Sequence, residues 1–150
     1  MSFKETASSL CGRVVNVASV KQLSPFRYPG GKTWLVPTVQ LWLSHKRRRP
    51  DYFVELFAGG GIVGLTVAAE RLADHVTMIE IDPDVASVWH TIFGDGAEWL
   101  ANRILAFDLT YENVQETLSQ PIESVKEKAF QTILKNRTYH GGILAPGSSP

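Results

Sequence analysis

The sequence predicts an α/β fold with a small parallel sheet, and two observations support this prediction. Two short runs rich in β-forming residues, at 52–57 and 76–81, flank a helical stretch at 62–73. That order is typical of a βαβ unit, whose crossover is right-handed and whose two strands run parallel. After residue 83 every periodic stretch is helical, yet an open α/β sheet generally needs about four strands. The sequence therefore predicts an incomplete sheet accompanied by several helices.

The helices are predicted from their boundary residues. A mostly buried helix at 34–45 tolerates Pro37 in its first turn and ends before the basic run 46–49. Asp82 is suited to cap a helix at 83–93, since aspartate is a preferred N-cap residue. Pro83 also fits the first helical position. Further helices are predicted at 97–107, 112–119 and 122–136. The four tryptophans lie in the predicted helices and are expected in the core: Trp34, Trp42, Trp89 and Trp99.

Length and composition suit one soluble domain. The chain has 150 residues, of which 44% are hydrophobic, and its formal net charge is zero. The charge is unevenly distributed: residues 1–75 carry ten basic and five acidic groups, and residues 76–150 carry the reverse. Bulk charge therefore does not indicate a partner, although the N-terminal half is expected to be electropositive.

The compartment is predicted from what the sequence lacks. A single cysteine, Cys11, cannot form a disulfide framework and indicates a reducing environment. No apolar run approaches the roughly 18 residues of a membrane-spanning helix, and residues 1–12 lack the apolar core of a signal peptide. The histidines at 45, 75 and 90 show no paired spacing, so no metal site is predicted. We expect a cytoplasmic protein that does not contact a membrane.

A glycine turn after the first predicted strand is the first functional signal. Gly59-x-Gly61-x-x-Gly64 leads into a helix, and Glu80 stands 21 residues after Gly59 at the end of the second predicted strand. Bare amides at a helix N-terminus admit a nucleotide-like ligand, and an acidic side chain there can accept hydrogen bonds from ribose hydroxyls. The pair predicts a nucleoside site, and it leaves nicotinamide dinucleotides and S-adenosylmethionine both open.

A second glycine segment, at 30–33, superficially resembles a phosphate-binding loop. The spacing of that motif requires a glycine at position 26, where the sequence has Phe26. A nucleoside triphosphate site is therefore not expected.

Several segments together resemble the Dam-type DNA adenine methyltransferases, which use S-adenosylmethionine. The run 26–32 is similar to the family's aromatic-x-Gly-Gly-Lys motif, and 53–61 is similar to its strand and glycine motif. The segment 79–84 resembles its acidic motif, and 134–142 resembles the stretch that leads into target recognition. The resemblance implies a Rossmann-like methyltransferase fold that transfers a methyl group to the exocyclic amine of adenine in double-stranded DNA. Restriction–modification is one setting in which such enzymes act.

The resemblance also implies roles for individual residues. Lys32 would meet the carboxylate of the cofactor, and Glu80 would hold its ribose. Asp82 competes with Glu80, because alternation along a strand reaching Ile81 would place both acids on one face, although Asp82 also fits as a helix cap. The cofactor-binding set is Tyr28, Gly30, Gly31, Lys32, Phe57, Ala58, Gly59, Gly60, Gly61, Glu80 and Asp82.

One family motif is missing from the sequence. The family polarises the adenine amine with Asp-Pro-Pro-Tyr, and the nearest string, at 82–85, departs from it at two positions. No catalytic residue is therefore assigned. The sequence ends where the recognition region should begin, so we expect a fragment or truncated gene whose catalytic motif a separate C-terminal half would supply. The expected segments are an N-terminal extension (1–24), a cofactor-binding part (25–108) and a helical part leading into a truncated recognition region (109–150).

DNA contacts are expected from Arg137 and Tyr139, through the same resemblance, with His140 a weaker candidate. The basic run 46–49 could bind phosphates, but a basic run after a helix also complements the helix dipole and stays solvated. Two alternatives to the main interpretation stay open: a nicotinamide-binding Rossmann module, and a non-catalytic DNA-binding remnant.

Overall fold

The computed structural model describes residues 17–26 and 31–139. Single 3₁₀ turns occupy Val17–Ser19 and Lys32–Leu35. The regular elements are α1 (Val36–Ser44), β1 (Tyr52–Leu56), α2 (Ile62–Ala69), β2 (His75–Ile79), α3 (Pro83–Phe93), α4 (Ala97–Leu105), α5 (Tyr111–Ser119) and α6 (Val125–Thr138). The predicted elements are therefore confirmed in type and order.

The sheet is a parallel pair. Tyr52 of β1 is in register with His75 of β2, and Leu56 is in register with Ile79. The described residues contribute no third strand. The predicted parallel βαβ arrangement of a small sheet is thus confirmed within the described part of the chain.

The chain divides into two compact units, and the first contains described residues 17–24 and 31–79. One cluster of its core joins Val36 of α1 to Ile62 and Val63 of α2. A second cluster joins Leu43, Val67 and Ala73, and Phe53 of β1 packs against both clusters. Burying each such side chain contributes about 1.5–3 kcal/mol, so α1 and α2 are held against one face of the sheet.

The described residues on the opposite face of the sheet are exposed. Strand alternation points Tyr52, Val54 and Leu56 of β1 away from α2, and their exposed fractions are 69%, 50% and 58%. Ile79 of β2 is 49% exposed. Parallel sheets are normally covered on both faces, so this apolar face is unusual for the fold class.

The second unit contains described residues 25–26 and 80–139. Its main packing is α3 against α6, with α4 and α5 also lying on α6. Val85 and Val88 of α3 and Ala129 of α6 are completely buried at this contact. Phe26 packs edge-on against Trp89, with ring centroids 5.6 Å apart. The first residue of the N-terminal motif, Phe26, therefore packs on α3 within this unit.

The last helix begins three residues later than the sequence predicted. The Ser124 side chain accepts a hydrogen bond from the Glu127 amide at 3.2 Å, and the Glu127 carboxylate accepts one from the Glu123 amide at 3.2 Å. This reciprocal capping fixes the start of α6 at Val125 rather than at 122.

The prediction that all four tryptophans are core residues is wrong for three of them: Trp34 is 61% exposed, and Trp42 and Trp99 are each 37% exposed. The segment of Trp34 is a 3₁₀ turn, and α1 begins only at Val36, so Trp34 does not share the buried face of α1. Trp89 is buried, as predicted.

None of the helices in the described residues is both long and apolar enough to cross a bilayer.

Candidate functional site

The glycine turn joins β1 to α2 through three residues with positive φ: Phe57 at 54°, Gly59 at 52° and Gly61 at 64°. Glycine adopts this conformation without a steric cost, and Gly61 uses it as the N-cap of α2. The turn is tied down by the Ala58 amide, which donates to the Ile79 carbonyl oxygen at 2.8 Å. Its conformation is therefore fixed from both strands.

Phe57 is the unusual member of this turn. A bulky residue with positive φ is a backbone outlier that costs of order 1–3 kcal/mol and occurs most often at functional sites. Its side chain is 76% exposed. Its carbonyl oxygen accepts a hydrogen bond from Lys32 Nζ at 2.6 Å. The strained peptide is thus stabilised by a charged donor, and the aromatic ring faces solvent.

Lys32 lies at the C-terminal end of β1, where its ammonium has three partners. Nζ is 2.7 Å from Glu55 Oε1 and donates to the carbonyl oxygens of Phe57 at 2.6 Å and Leu56 at 3.4 Å. The side chain keeps 26% of its exposure. The structure therefore brings the lysine of the N-terminal motif to the glycine turn.

Glu55 is a site residue that the sequence reasoning missed. It is 5% exposed, and its second carboxylate oxygen, Oε2, accepts a hydrogen bond from the Gly64 amide at 2.7 Å. A buried carboxylate is costly unless it is paired and hydrogen-bonded, and here Oε1 is ion-paired with Lys32 while Oε2 is hydrogen-bonded. An acidic residue inside an otherwise apolar strand was the signal that could have identified it.

Gly64, the third glycine of the motif, is explained by close packing. A Cβ at this position would lie 2.7 Å from Glu55 Oε2 and 3.1 Å from Met78 Cγ. Glycine is therefore required for α2 to approach the sheet and for its amide to reach Glu55. This is the role of helix–strand contact that the third glycine of such turns usually has.

The two acids after β2 lie in the second unit and outside the strand. Because β2 ends at Ile79, both acids lie beyond the strand on which the expected alternation was based. Glu80 Oε1 accepts a hydrogen bond from the Asp82 amide at 2.9 Å. Asp82 Oδ1 accepts one from the Asp84 amide at 2.8 Å, which confirms Asp82 as the N-cap of α3.

Three further predicted residues lie outside the described residues: Tyr28, Gly30 and His140. Gly31 is described and precedes the 3₁₀ turn as its N-cap.

The predicted DNA contacts lie at the end of α6. Arg137 Nη2 donates to the Pro25 carbonyl oxygen at 2.6 Å, and the Tyr139 amide donates to the Lys135 carbonyl oxygen at 2.9 Å. Arg137 is exposed. The arginine therefore anchors the segment that precedes the N-terminal motif.

The basic run after α1 is exposed and partly neutralised. Arg48 pairs with Asp51, and Arg49 pairs with Asp74. Exposed pairs of this kind contribute little to stability.

Comparison with protein families identifies the class of protein. The family model of the D12 class N6 adenine-specific DNA methyltransferases matches residues 28–139. The match covers most of the chain, including the glycine turn, Glu80 and Arg137, so the chain belongs to this family. The resemblance to Dam-type enzymes is thereby confirmed. No curated protein and no solved structure matches the chain.

Proposed function

We propose that this chain binds S-adenosylmethionine as the methyl donor for N6 methylation of adenine in double-stranded DNA. One observation carries the proposal: in a member of this methyltransferase family, Lys32 and Glu55 together hold the strained glycine turn at the start of α2. The bound group supplies an electrophilic sulfonium methyl. The chain's own residues bind and orient it.

The chemistry of the donor set fits this ligand. The amides of Ile62 and Val63 belong to the groups that an α-helix leaves without an intrahelical partner, and Gly60 precedes them in the turn. These amides suit the polar methionine part, with Gly59 and Gly61 allowing close approach. The exposed Phe57 ring and Ala58 would shape the pocket. Tyr28, Gly30 and Gly31 complete the set through the family motif.

Lys32 would meet the carboxylate of the methionine part. Two of its contacts are short, whereas the third, to the Leu56 carbonyl oxygen, is 3.4 Å and is the weakest of the three. A ligand carboxylate offers a stronger, charge-assisted partner than a carbonyl at that distance. We therefore propose that the ligand carboxylate replaces the Leu56 carbonyl oxygen as an acceptor for Lys32 Nζ, while the contacts with Glu55 and Phe57 stay in place.

Glu80 would accept hydrogen bonds from the ribose hydroxyls. One of its oxygens already accepts from the Asp82 amide at 2.9 Å, which fixes the carboxylate just after β2. A carboxylate has about four lone-pair sites, so it can accept several hydrogen bonds at once. Asp82 serves α3 as its cap, which favours Glu80 over Asp82 as the ribose ligand.

Activation of the adenine amine is assigned to none of these residues, because the 150-residue sequence contains no Asp-Pro-Pro-Tyr string. The proposed role of this chain is therefore to bind and orient the methyl donor. Proximity and alignment dominate a direct methyl transfer, so this role is a substantial part of the reaction. We also propose that Arg137 and Tyr139, at the end of α6, face the DNA.

Calorimetry tests the proposal. The chain is titrated with S-adenosylhomocysteine and, in a separate run, with reduced nicotinamide dinucleotide. We expect saturable binding of the first compound and none of the second. Preference for the dinucleotide would instead support a nicotinamide-binding module, and absence of both signals would favour a remnant that does not bind a nucleoside.

A further inference from the structure

We propose that Glu55 is the positioning residue of the methyl-donor site, acting through Lys32 and through the first turn of α2. The inference rests on the proposed function. It assigns a role to a residue that touches neither ligand nor DNA in the proposal. Glu55 is 5% exposed, so it acts only through the groups it contacts.

The two carboxylate oxygens of Glu55 contact different partners. Oε1 is 2.7 Å from Lys32 Nζ, and Oε2 accepts from the Gly64 amide at 2.7 Å. Lys32 comes from the 3₁₀ turn before α1, and Gly64 lies in the first turn of α2. One side chain of β1 therefore sets the position of both groups that flank the glycine turn.

Length and charge both suit glutamate here. Aspartate is one methylene shorter and would not span the same two partners from the same backbone position. Glutamine keeps the length and one carbonyl oxygen for Gly64, but it has no charge to hold the Lys32 ammonium. A negative charge beside the start of α2 is also favoured by the helix dipole. The Glu55→Gln change therefore isolates the electrostatic part of the interaction.

The position of the Lys32 ammonium depends on this charge. Its side chain is 26% exposed, and a free lysine side chain has several rotatable bonds. With Glu55 neutral, the ammonium would spend less time at the Phe57 carbonyl oxygen and at the proposed carboxylate position. Loss of Glu55 should then weaken ligand binding only as long as Lys32 is present.

A double-mutant cycle on the full chain tests this dependence. The variants are Glu55→Gln, Lys32→Met and the two combined, and calorimetry with S-adenosylhomocysteine measures the affinity of each. We expect each single change to weaken binding at least about tenfold. The double variant should have the same affinity as the single variant that binds less tightly, with no further loss. The matched control is Asp51→Asn, which also removes an ion-paired carboxylate of the first unit, paired here with the exposed Arg48. We expect unchanged affinity for the control.

The outcomes separate the two proposals. If the wild-type chain binds the ligand and Glu55→Gln binds equally well, or if the two losses simply add, Glu55 does not position Lys32. If the wild-type chain does not bind the ligand at all, the proposed function fails.

If the chain binds no ligand, amide hydrogen exchange tests the positioning role of Glu55 instead. This measurement needs no ligand and no variant of Glu55. In the Lys32→Met chain we expect faster exchange of the Gly64 amide, because the carboxylate that accepts from it has lost its second anchor. Unchanged protection of Gly64 would overturn the inference.

Discussion

The ammonium of Lys32 donates to the carbonyl oxygen of Phe57 at 2.6 Å and thereby supports a residue whose φ is 54°. The lysine belongs to the N-terminal motif, and the phenylalanine begins the glycine turn. The two residues are 25 positions apart in the sequence, and their contact joins the two motifs at one peptide group.

Replacing Lys32 by methionine should weaken S-adenosylhomocysteine binding by roughly 10- to 100-fold, since a hydrogen bond to a charged group contributes about 1.5–3 kcal/mol. Lys46→Met is the control, because Lys46 lies over the Trp42 ring after α1. Calorimetry measures both variants. Equal affinities for Lys32→Met and the wild type would remove Lys32 from the site.

The same Lys32 substitution should also lower stability. It leaves the buried Glu55 carboxylate without its cation. We expect a loss of about 3 kcal/mol, the lower limit for breaking a buried ion pair, because the Lys32 side chain is 26% exposed. Adding Glu55→Gln removes the isolated charge, so the double variant should be more stable than Lys32→Met alone. Urea unfolding gives both values. A double variant less stable than Lys32→Met would contradict the pairing.

The Gly64→Ala change should destabilise the first unit by about 2 kcal/mol, within the range for overpacking a tight site. The new Cβ would lie 2.7 Å from Glu55 Oε2, an atom that cannot retreat without releasing the Gly64 amide. Ala68→Ser, one turn further along α2 and exposed, is the control and should change stability by less than about 0.5 kcal/mol. A Gly64→Ala chain as stable as the wild type would show that α2 has room at this contact.

Alanine substitutions of Glu80 and of Asp82 should have different effects, one on ligand affinity and the other on stability. Asp82→Ala removes the cap of α3 and should cost about 1 kcal/mol of stability with unchanged ligand affinity. Glu80→Ala should reduce affinity about tenfold, because a ribose acceptor is lost. Thermal unfolding and calorimetry are run on both variants. The reverse pattern would make Asp82 the ribose ligand.

Arg137→Gln should reduce DNA affinity and lower the salt dependence of binding by about one unit of the log–log slope, the signature of one lost phosphate contact. Arg48→Gln, which removes an exposed and ion-paired arginine, is the control. Fluorescence anisotropy across a salt series measures the slopes. An unchanged slope would mean that Arg137 serves only to anchor the Pro25 carbonyl oxygen.

The exposed apolar residues on the sheet face opposite α2 should promote self-association of the chain. Val54 and Ile79 expose about half of their surfaces on this face. Changing both to threonine keeps β-branched side chains while reducing the apolar area. Sedimentation velocity should show concentration-dependent association of the wild type that weakens in the double variant. A wild-type chain that stays monomeric and melts cooperatively at high temperature would count against this expectation.

The elements themselves were predictable because their signals are local. Asp82 followed by Pro83 predicts the start of α3, and the glycine run after β1 predicts the turn into α2. Boundaries were less predictable where capping competes with a neighbouring proline, as at Ser124. Trp34 was misplaced because a 3₁₀ turn and an α-helix give the same apolar pattern over four residues.

The site was predictable only in part, for a different reason. Motif spacing identifies Lys32 and the glycine turn as two separate candidate sites, but it does not predict their contact, which depends on tertiary structure. Glu55 was missed because its partners, Lys32 and the Gly64 amide, lie 23 and nine positions away. Long-range pairing of a buried carboxylate leaves no periodic trace in the sequence.

A crystal structure of the chain grown with S-adenosylhomocysteine is the most direct test of the central claim. We predict density for the ligand against the turn that follows Phe57, with its carboxylate within hydrogen-bond distance of Lys32 Nζ and its ribose at Glu80. A turn free of ligand density in crystals saturated with the compound, or a ligand seated away from Lys32, would contradict the account.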